Sequence, residues 1–229
     1  MKVIKPTLLA SLIISILTSG VLHAATTLDM AIVIDESGSM SGEHNAFIGT
    51  YVRNLDSMLK DQNVTLNQYG LVGFGGATYT SPSANEAGRE NGADFYRHFN
   101  LSLDPDNVWG TADEFHAITS ELVTTGGTED GYRAIDYTFR NFDFRPTAGS
   151  SIMLITDEDR DNDRTNLDTS HLPSGMTEID KAYVQAQLAQ YNTVVHAVVS
   201  QRFTDLDGHP AIAIVGAAPA TPMSRTPPV

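Results

Sequence analysis

The sequence predicts an α/β fold with a mostly parallel, doubly wound sheet flanked by helices. Three observations carry this expectation. Met30, Ala31, Ile32, Val33 and Ile34 form an unbroken apolar run, and similar runs occur at 151–155 and 193–199. Runs of this kind read as strands buried on both faces. Segments of helical period lie between them, and strands alternating with helices give a parallel sheet covered on both sides. The first run then ends in Asp35, Glu36, Ser37, Gly38 and Ser39. A polar cluster there stands at the carboxyl end of a buried strand, where open α/β sheets bind their ligands.

The elements follow in chain order. After the first strand, Phe47, Ile48, Tyr51, Val52, Leu55, Met58 and Leu59 recur at helical spacing, with Glu43 in the expected first turn, where a carboxylate suits the helix dipole. Residues 68–75, with Tyr69, Leu71, Val72 and Phe74, read as a strand that Gly75 and Gly76 end. Residues 81–92 are polar and contain Gly, Ser, Pro and Asn, so an exposed loop is expected, followed by an edge strand at 95–99. Residues 113–122 fit a short helix that leads to Gly126, Gly127 and Thr128. Tyr132, Ile135, Phe139 and Phe142 mark another helix, and 151–157 a second buried strand ending in a carboxylate. A long polar loop runs to about Met176, and Tyr183, Ala186 and Ala189 mark the next helix. Residues 193–199 form a buried strand in which His196 is expected to be a core residue. Residues 211–215 fit one last strand, whereas 217–229 are rich in Pro, Thr and Ala without helical period.

The chemistry sits in the polar cluster. Alternate residues of an extended segment point the same way, so Asp35, Ser37 and Ser39 converge on one point, and Gly38 lets the backbone turn between them. Convergence of oxygens alone suits a hard cation such as magnesium. The pattern Asp-x-Ser-x-Ser resembles the first motif of the von Willebrand factor type A domain, which carries a metal-ion-dependent adhesion site. Two further pieces stand in the order that family requires. Gly126, Gly127 and Thr128 precede a helix, and Thr156 and Asp157 end a buried strand. The resemblance covers roughly residues 28–199 and places one domain over 25–216. It implies that Ser37, Ser39 and Thr128 coordinate the metal through hydroxyls, with Asp35 and Asp157 acting directly or through bound water. The implied ion is magnesium, with calcium or manganese as alternatives. An ion held largely by neutral oxygens keeps much of its charge and an exchangeable position. The resemblance therefore implies a binding partner, a protein or cell-surface ligand, that offers an acidic side chain to the metal. Such a domain normally closes with a further helix packed on the sheet, and 217–229 offers none, so that helix is expected to be missing.

Extra acids surround this core. Glu36 lies inside the first motif, and Glu158, Asp159, Asp161 and Asp163 follow Asp157. Added carboxylates would partly neutralise an ion and would favour calcium, which accepts more oxygens and looser geometry. The spacing of Asp159, Asp161 and Asp163 resembles the start of a calcium loop, but Arg164 stands where an EF-hand needs glycine and Ser170 where it needs glutamate. Two readings stay open there: an irregular second calcium site, or a solvated acidic loop paired with Arg160 and Arg164. A plainer reading also exists for the first motif. Ser and Asp at strand ends often cap the next helix, a role open to Ser41 or Asn45.

Composition narrows the function classes. The formal net charge is −14, which disfavours nucleic acid and anionic membranes as partners and attracts cations. Lys2 and Lys5 precede the apolar stretch from Leu8 to Leu17, and His23 and Ala24 offer a cleavage point, the shape of a secretory signal peptide over 1–24. Secretion to the periplasm or the extracellular space is expected, with no membrane insertion after cleavage. There is no cysteine, so stability must come from the core. No His-Glu-x-x-His spacing, nucleophile elbow or phosphate loop is present. A metal-dependent adhesion module is the leading expectation, and a structural domain whose ion only stabilises the fold is the alternative. An enzyme is not expected, because only Glu36 and Glu158 offer themselves as general bases and neither has a persuasive position.

Overall fold

β1 (Leu28–Asp35) is the centre on which the other elements are assembled. The computed structural model describes residues 26–42, 44, 48–77, 80–91, 95–101, 107–157 and 170–198. Within them lie β2 (Gln68–Phe74), β3 (Glu86–Asn91), β4 (Phe95–Phe99), β5 (Gly149–Ile155) and β6 (Thr193–Val198). They form a six-stranded sheet in the order β3-β4-β2-β1-β5-β6. β1 pairs in parallel with β2 and β5, and β5 with β6, while β4 runs antiparallel to β2 and to β3. The expected mostly parallel, doubly wound α/β fold is therefore the observed one.

Helices cover both faces: α1 (Gly49–Asp61), α2 (Ala112–Ile118), α3 (Gly131–Asn141) and α4 (Lys181–Tyr191). Alternation along β1 divides the core between them. Met30, Ile32 and Ile34 pack with Val52, Leu55 and Leu59 of α1 and Phe115 and Ile118 of α2. Ala31 and Val33 pack with Ala134, Ile135 and Phe139 of α3 and Val184 and Leu188 of α4. Asp180 caps α4 at the Tyr183 amide, and Thr111 and Glu114 form a reciprocal capping box on α2. The fully buried Asp136 of α3 accepts hydrogen bonds from Arg140, His171, Tyr183 and Gln187, which pins α4 and the 171 segment to α3.

Several expectations need correction. The supposed loop at 81–92 contains β3, and β3 is the edge strand, so 95–99 is an interior strand. Glycine and charge hid β3, but at an edge its polar side chains do not have to enter the core. The helix expected through Tyr183, Ala186 and Ala189 is α4, and it buries Val184 and Leu188. His196 is half-buried rather than a core residue. The signal peptide, Glu43, Asn45, Phe47, the acidic residues Glu158, Asp159, Asp161 and Asp163, the strand at 211–215 and the tail at 217–229 lie outside the described residues. No helix among the described residues is long and apolar enough to cross a membrane.

Gly70, in the middle of β2, tests the packing. A methyl group there would overlap the buried ring of Phe142. Alanine normally improves a strand position over glycine, but overpacking here should cost about 1–3 kcal/mol. Gly70→Ala is expected to lower the urea midpoint, and an unchanged or raised midpoint would show that the Phe142 ring moves freely.

Candidate metal centre

β1 and β5 are neighbouring parallel strands, so their carboxyl ends lie side by side. β1 ends at Asp35, and the chain leaving β5 places Thr156 and Asp157 beside it. Asp35 is fully buried, and it spends both oxygens on organising the turn. Its Oδ1 accepts from the Ser37 amide at 2.7 Å, and its Oδ2 accepts from the Thr156 hydroxyl at 2.9 Å. The first bond closes an Asx turn that reverses the chain into a short 3₁₀ helix at Gly38–Gly42. Behind it, His44 Nε2 lies 2.6 Å from the Asp35 carbonyl, so that nitrogen carries the proton.

The turn brings two hydroxyls together. Ser37 Oγ and Ser39 Oγ are 2.9 Å apart, and the Ser39 hydroxyl donates to Asp157 Oδ1 at 2.9 Å. Since Ser39 spends its proton on Asp157, Ser37 donates to Ser39. Asp35, Ser37, Ser39 and Asp157, all named from sequence, are therefore one connected cluster. Ser37 is buried, Ser39 is exposed and Asp157 is half-buried, so the open side of the cluster is the Ser39–Asp157 edge.

Thr128 arrives by a different route. Its loop is held between the first motif and the segment after β2: the Gly38 amide donates to the Gly126 carbonyl at 3.4 Å, and the Ala77 amide donates to the Thr125 carbonyl at 2.7 Å. Gly76 and Gly126 form an antiparallel bridge. The site on Gly75 that a Cβ would fill lies 3.0 Å from Asp35 Oδ1, 3.1 Å from Glu129 Cγ and 3.3 Å from the Thr128 carbonyl. The backbone of Thr128 thus reaches the neighbourhood of Asp35. Its half-buried side chain has no hydrogen bond to the Ser37, Ser39 and Asp157 cluster.

Glu36 corrects the sequence reading most directly. It does not join the cluster as an added carboxylate. Its side chain points into the core and meets Arg97 of β4, with Nε 2.8 Å from Oε2 and Nη2 2.5 Å from Oε1, both residues being fully buried. Sequence reasoning also passed over His44, Arg97 and Glu129. Glu129 sits directly after Thr128 and is 2% exposed, and its adjacency to that loop was the one available signal.

Electrostatics follow from this burial. Desolvation pushes the Asp35 carboxyl up to about 6, against the hydrogen bonds from Ser37 and Thr156, and the nearby Asp157 charge adds to the rise. The donor set is oxygen only, pairs hydroxyls with two carboxylates, and is open on one side. These properties fit a hard cation. Among the described residues no three His, Asp or Glu side chains gather into a metal-binding group, and the cluster described above combines carboxylates with hydroxyls.

Two outcomes are expected. Because the folded Asp35 value exceeds the ordinary carboxylate value of 3.8, the stability from this group is complete below that value and is lost as pH rises through about 6. A shift of this size corresponds to roughly 3 kcal/mol. With chelator present, the stability difference between the chain and its Asp35→Asn variant should change by about that amount between pH 4 and 6.5. A pH-independent difference would mean that folding leaves the Asp35 titration unshifted. Gly126 has φ of +120° and a Cβ there would overlap the Gly75 carbonyl and lie 2.8 Å from Ala77 N. Gly126→Ala should cost more than about 2 kcal/mol and expose the Ala77 amide to hydrogen exchange, whereas retained protection would refute the clamp.

No protein-family model and no curated protein matches the chain. Among solved structures it is similar to the pilus adhesin SpaC from Lactobacillus rhamnosus GG, at 16% identity and a TM-score of 0.51, over 80% of this chain and 26% of that one. A second structure of SpaC, in an open conformation, matches at 18% identity and a TM-score of 0.47, over 75% and 23% of the two chains. Proximal thread matrix protein 1 from the mussel byssus matches at 12% identity and a TM-score of 0.40, over 76% and 35%. The chain spans about a quarter of the SpaC chain, and the first of these similarities is a likeness of fold.

Proposed function

We propose that the chain is a metal-dependent binding module of the von Willebrand factor type A kind, acting in adhesion rather than catalysis. The observation that carries this reading is the cluster of Asp35, Ser37, Ser39 and Asp157 at the carboxyl ends of β1 and β5. Ser37, Ser39 and Thr128 would supply hydroxyls to the ion, and Asp35 and Asp157 the negative charge. A divalent cation bound there supplies Lewis acidity toward an incoming carboxylate. Asp35 positions Ser37 through the Asx turn, and Ser39 and Asp157 present the open edge. Magnesium is the ion proposed, with calcium and manganese as competitors, and the partner is a protein or cell-surface ligand with an exposed acidic side chain.

Glu36 supports the carboxylate partner. With its charge spent on Arg97, the cluster has fewer negative charges than the motif alone implies. An ion held by two carboxylates and neutral hydroxyls retains attraction for a third carboxylate from outside. The fold likeness to part of a pilus adhesin accords with this role. Residues 1–24 are proposed as a cleaved leader, which places the module in the periplasm or outside the cell.

Calorimetric titration of the purified chain with magnesium, calcium and manganese tests the reading. Saturable binding is expected, with at least tenfold weaker affinity for Asp157→Ala and an intact fold by circular dichroism. Heat-free titration of a folded chain would overturn the metal site. Unfolding of Asp157→Ala would instead favour an ion that only stabilises the fold.

A further inference from the structure

The Glu36–Arg97 pair occupies a compartment built for it. The Glu36 carboxylate lies where a Gly73 side chain would stand, and a Cβ on Gly76 would lie 2.9 Å from the Phe95 ring and 3.5 Å from Glu36 Cβ. Arg97 lies over the rings of Phe95 and Phe99, at 5.4 and 4.7 Å to the centroids. Burial works against its charge, but the Glu36 and Glu86 carboxylates outweigh it and hold the guanidinium above its ordinary value. Arg97 Nη1 also donates to Glu86 Oε2 at 3.2 Å and Nη2 to the Glu121 carbonyl at 3.0 Å. One guanidinium thereby joins the first motif, the edge hairpin and the segment that leads to Thr128.

Glu36 holds that same segment directly. The Val123 amide donates to Glu36 Oε1 at 2.8 Å, and the Thr125 amide donates to the Glu36 carbonyl at 2.9 Å. Residue 36 is flanked by Asp35 and Ser37, and residues 123 and 125 lead into Thr128. The pair therefore fixes the distance between the two parts of the chain that would share the ion.

We propose that Glu36 and Arg97 are positioning residues that hold the Gly126, Gly127 and Thr128 loop in register with Ser37 and Ser39, and so set the metal affinity of the site. The inference rests on the metal-binding reading above. A buried ion pair contributes little net stability against an apolar replacement, yet it enforces one geometry because each partner is intolerable alone. Neither side chain belongs to the Asp35, Ser37, Ser39 and Asp157 cluster that would hold the ion.

The test compares the chain with Glu36→Gln, with Arg97→Lys, and with the double variant Glu36→Gln/Arg97→Met, which leaves Arg97's charge and Glu36's charge both removed. Magnesium affinity is measured by calorimetry, and exchange of the Val123 and Thr125 amides by hydrogen exchange, with the Ile32 amide as a core reference. Each variant is expected to bind magnesium at least tenfold more weakly, with faster exchange at Val123 and Thr125 and unchanged protection at Ile32. Should a single variant fail to fold, the double variant carries the same comparison. Unchanged magnesium affinity in a folded variant would overturn the inference and leave the pair a purely structural contact. A parent chain that binds no magnesium would instead overturn the metal reading, and this inference with it.

Discussion

The buried carboxylate of Asp35 is the constraint on which the site depends. A charge at the end of a strand covered on both faces cannot be left without partners. The Ser37 amide and the Thr156 hydroxyl satisfy it, one from the turn that follows β1 and one from the residue that follows β5. Meeting that need folds the motif back on itself and draws the end of β5 alongside. The hydroxyl pair and Asp157 then fall into place as a consequence. The polar cluster is thus first of all a solution to a burial problem.

Glycine sets how closely the surrounding loops approach. Gly75 has φ of +76° and Gly126 of +120°, conformations that other residues rarely adopt. They let the loop before Thr128 lie against 75–77 with backbone touching backbone. Gly73 has a different reason for being glycine, since the Glu36 carboxylate fills the place of its side chain. These three glycines, two at the end of β2 and one in the loop before Thr128, therefore serve the same end, to bring the Thr128 loop and the first motif together.

The fold was legible because its strands are buried on both faces, and such strands announce themselves as apolar runs. Asp35, Ser37, Ser39 and Asp157 were legible because local spacing and strand ends define them. What was hidden depends on partners far along the chain. Glu36 looked like one more acid at the site because Arg97, which takes its charge, lies 61 residues away. β3 was hidden because an edge strand needs no apolar alternation, and its glycine and charges read as a loop.

The bond between Ser39 and Asp157 spans 118 residues of sequence. A contact of such range requires the chain to close a long loop before it can form. The two halves of the site come together only when β1 and β5 have paired, with α1, β2, the β3–β4 hairpin and α3 all lying between them. A nascent or half-folded chain therefore has scattered acids and hydroxyls but no cluster. The cluster is in this sense a product of the completed sheet: without β5 the first motif has no Asp157 to pair with.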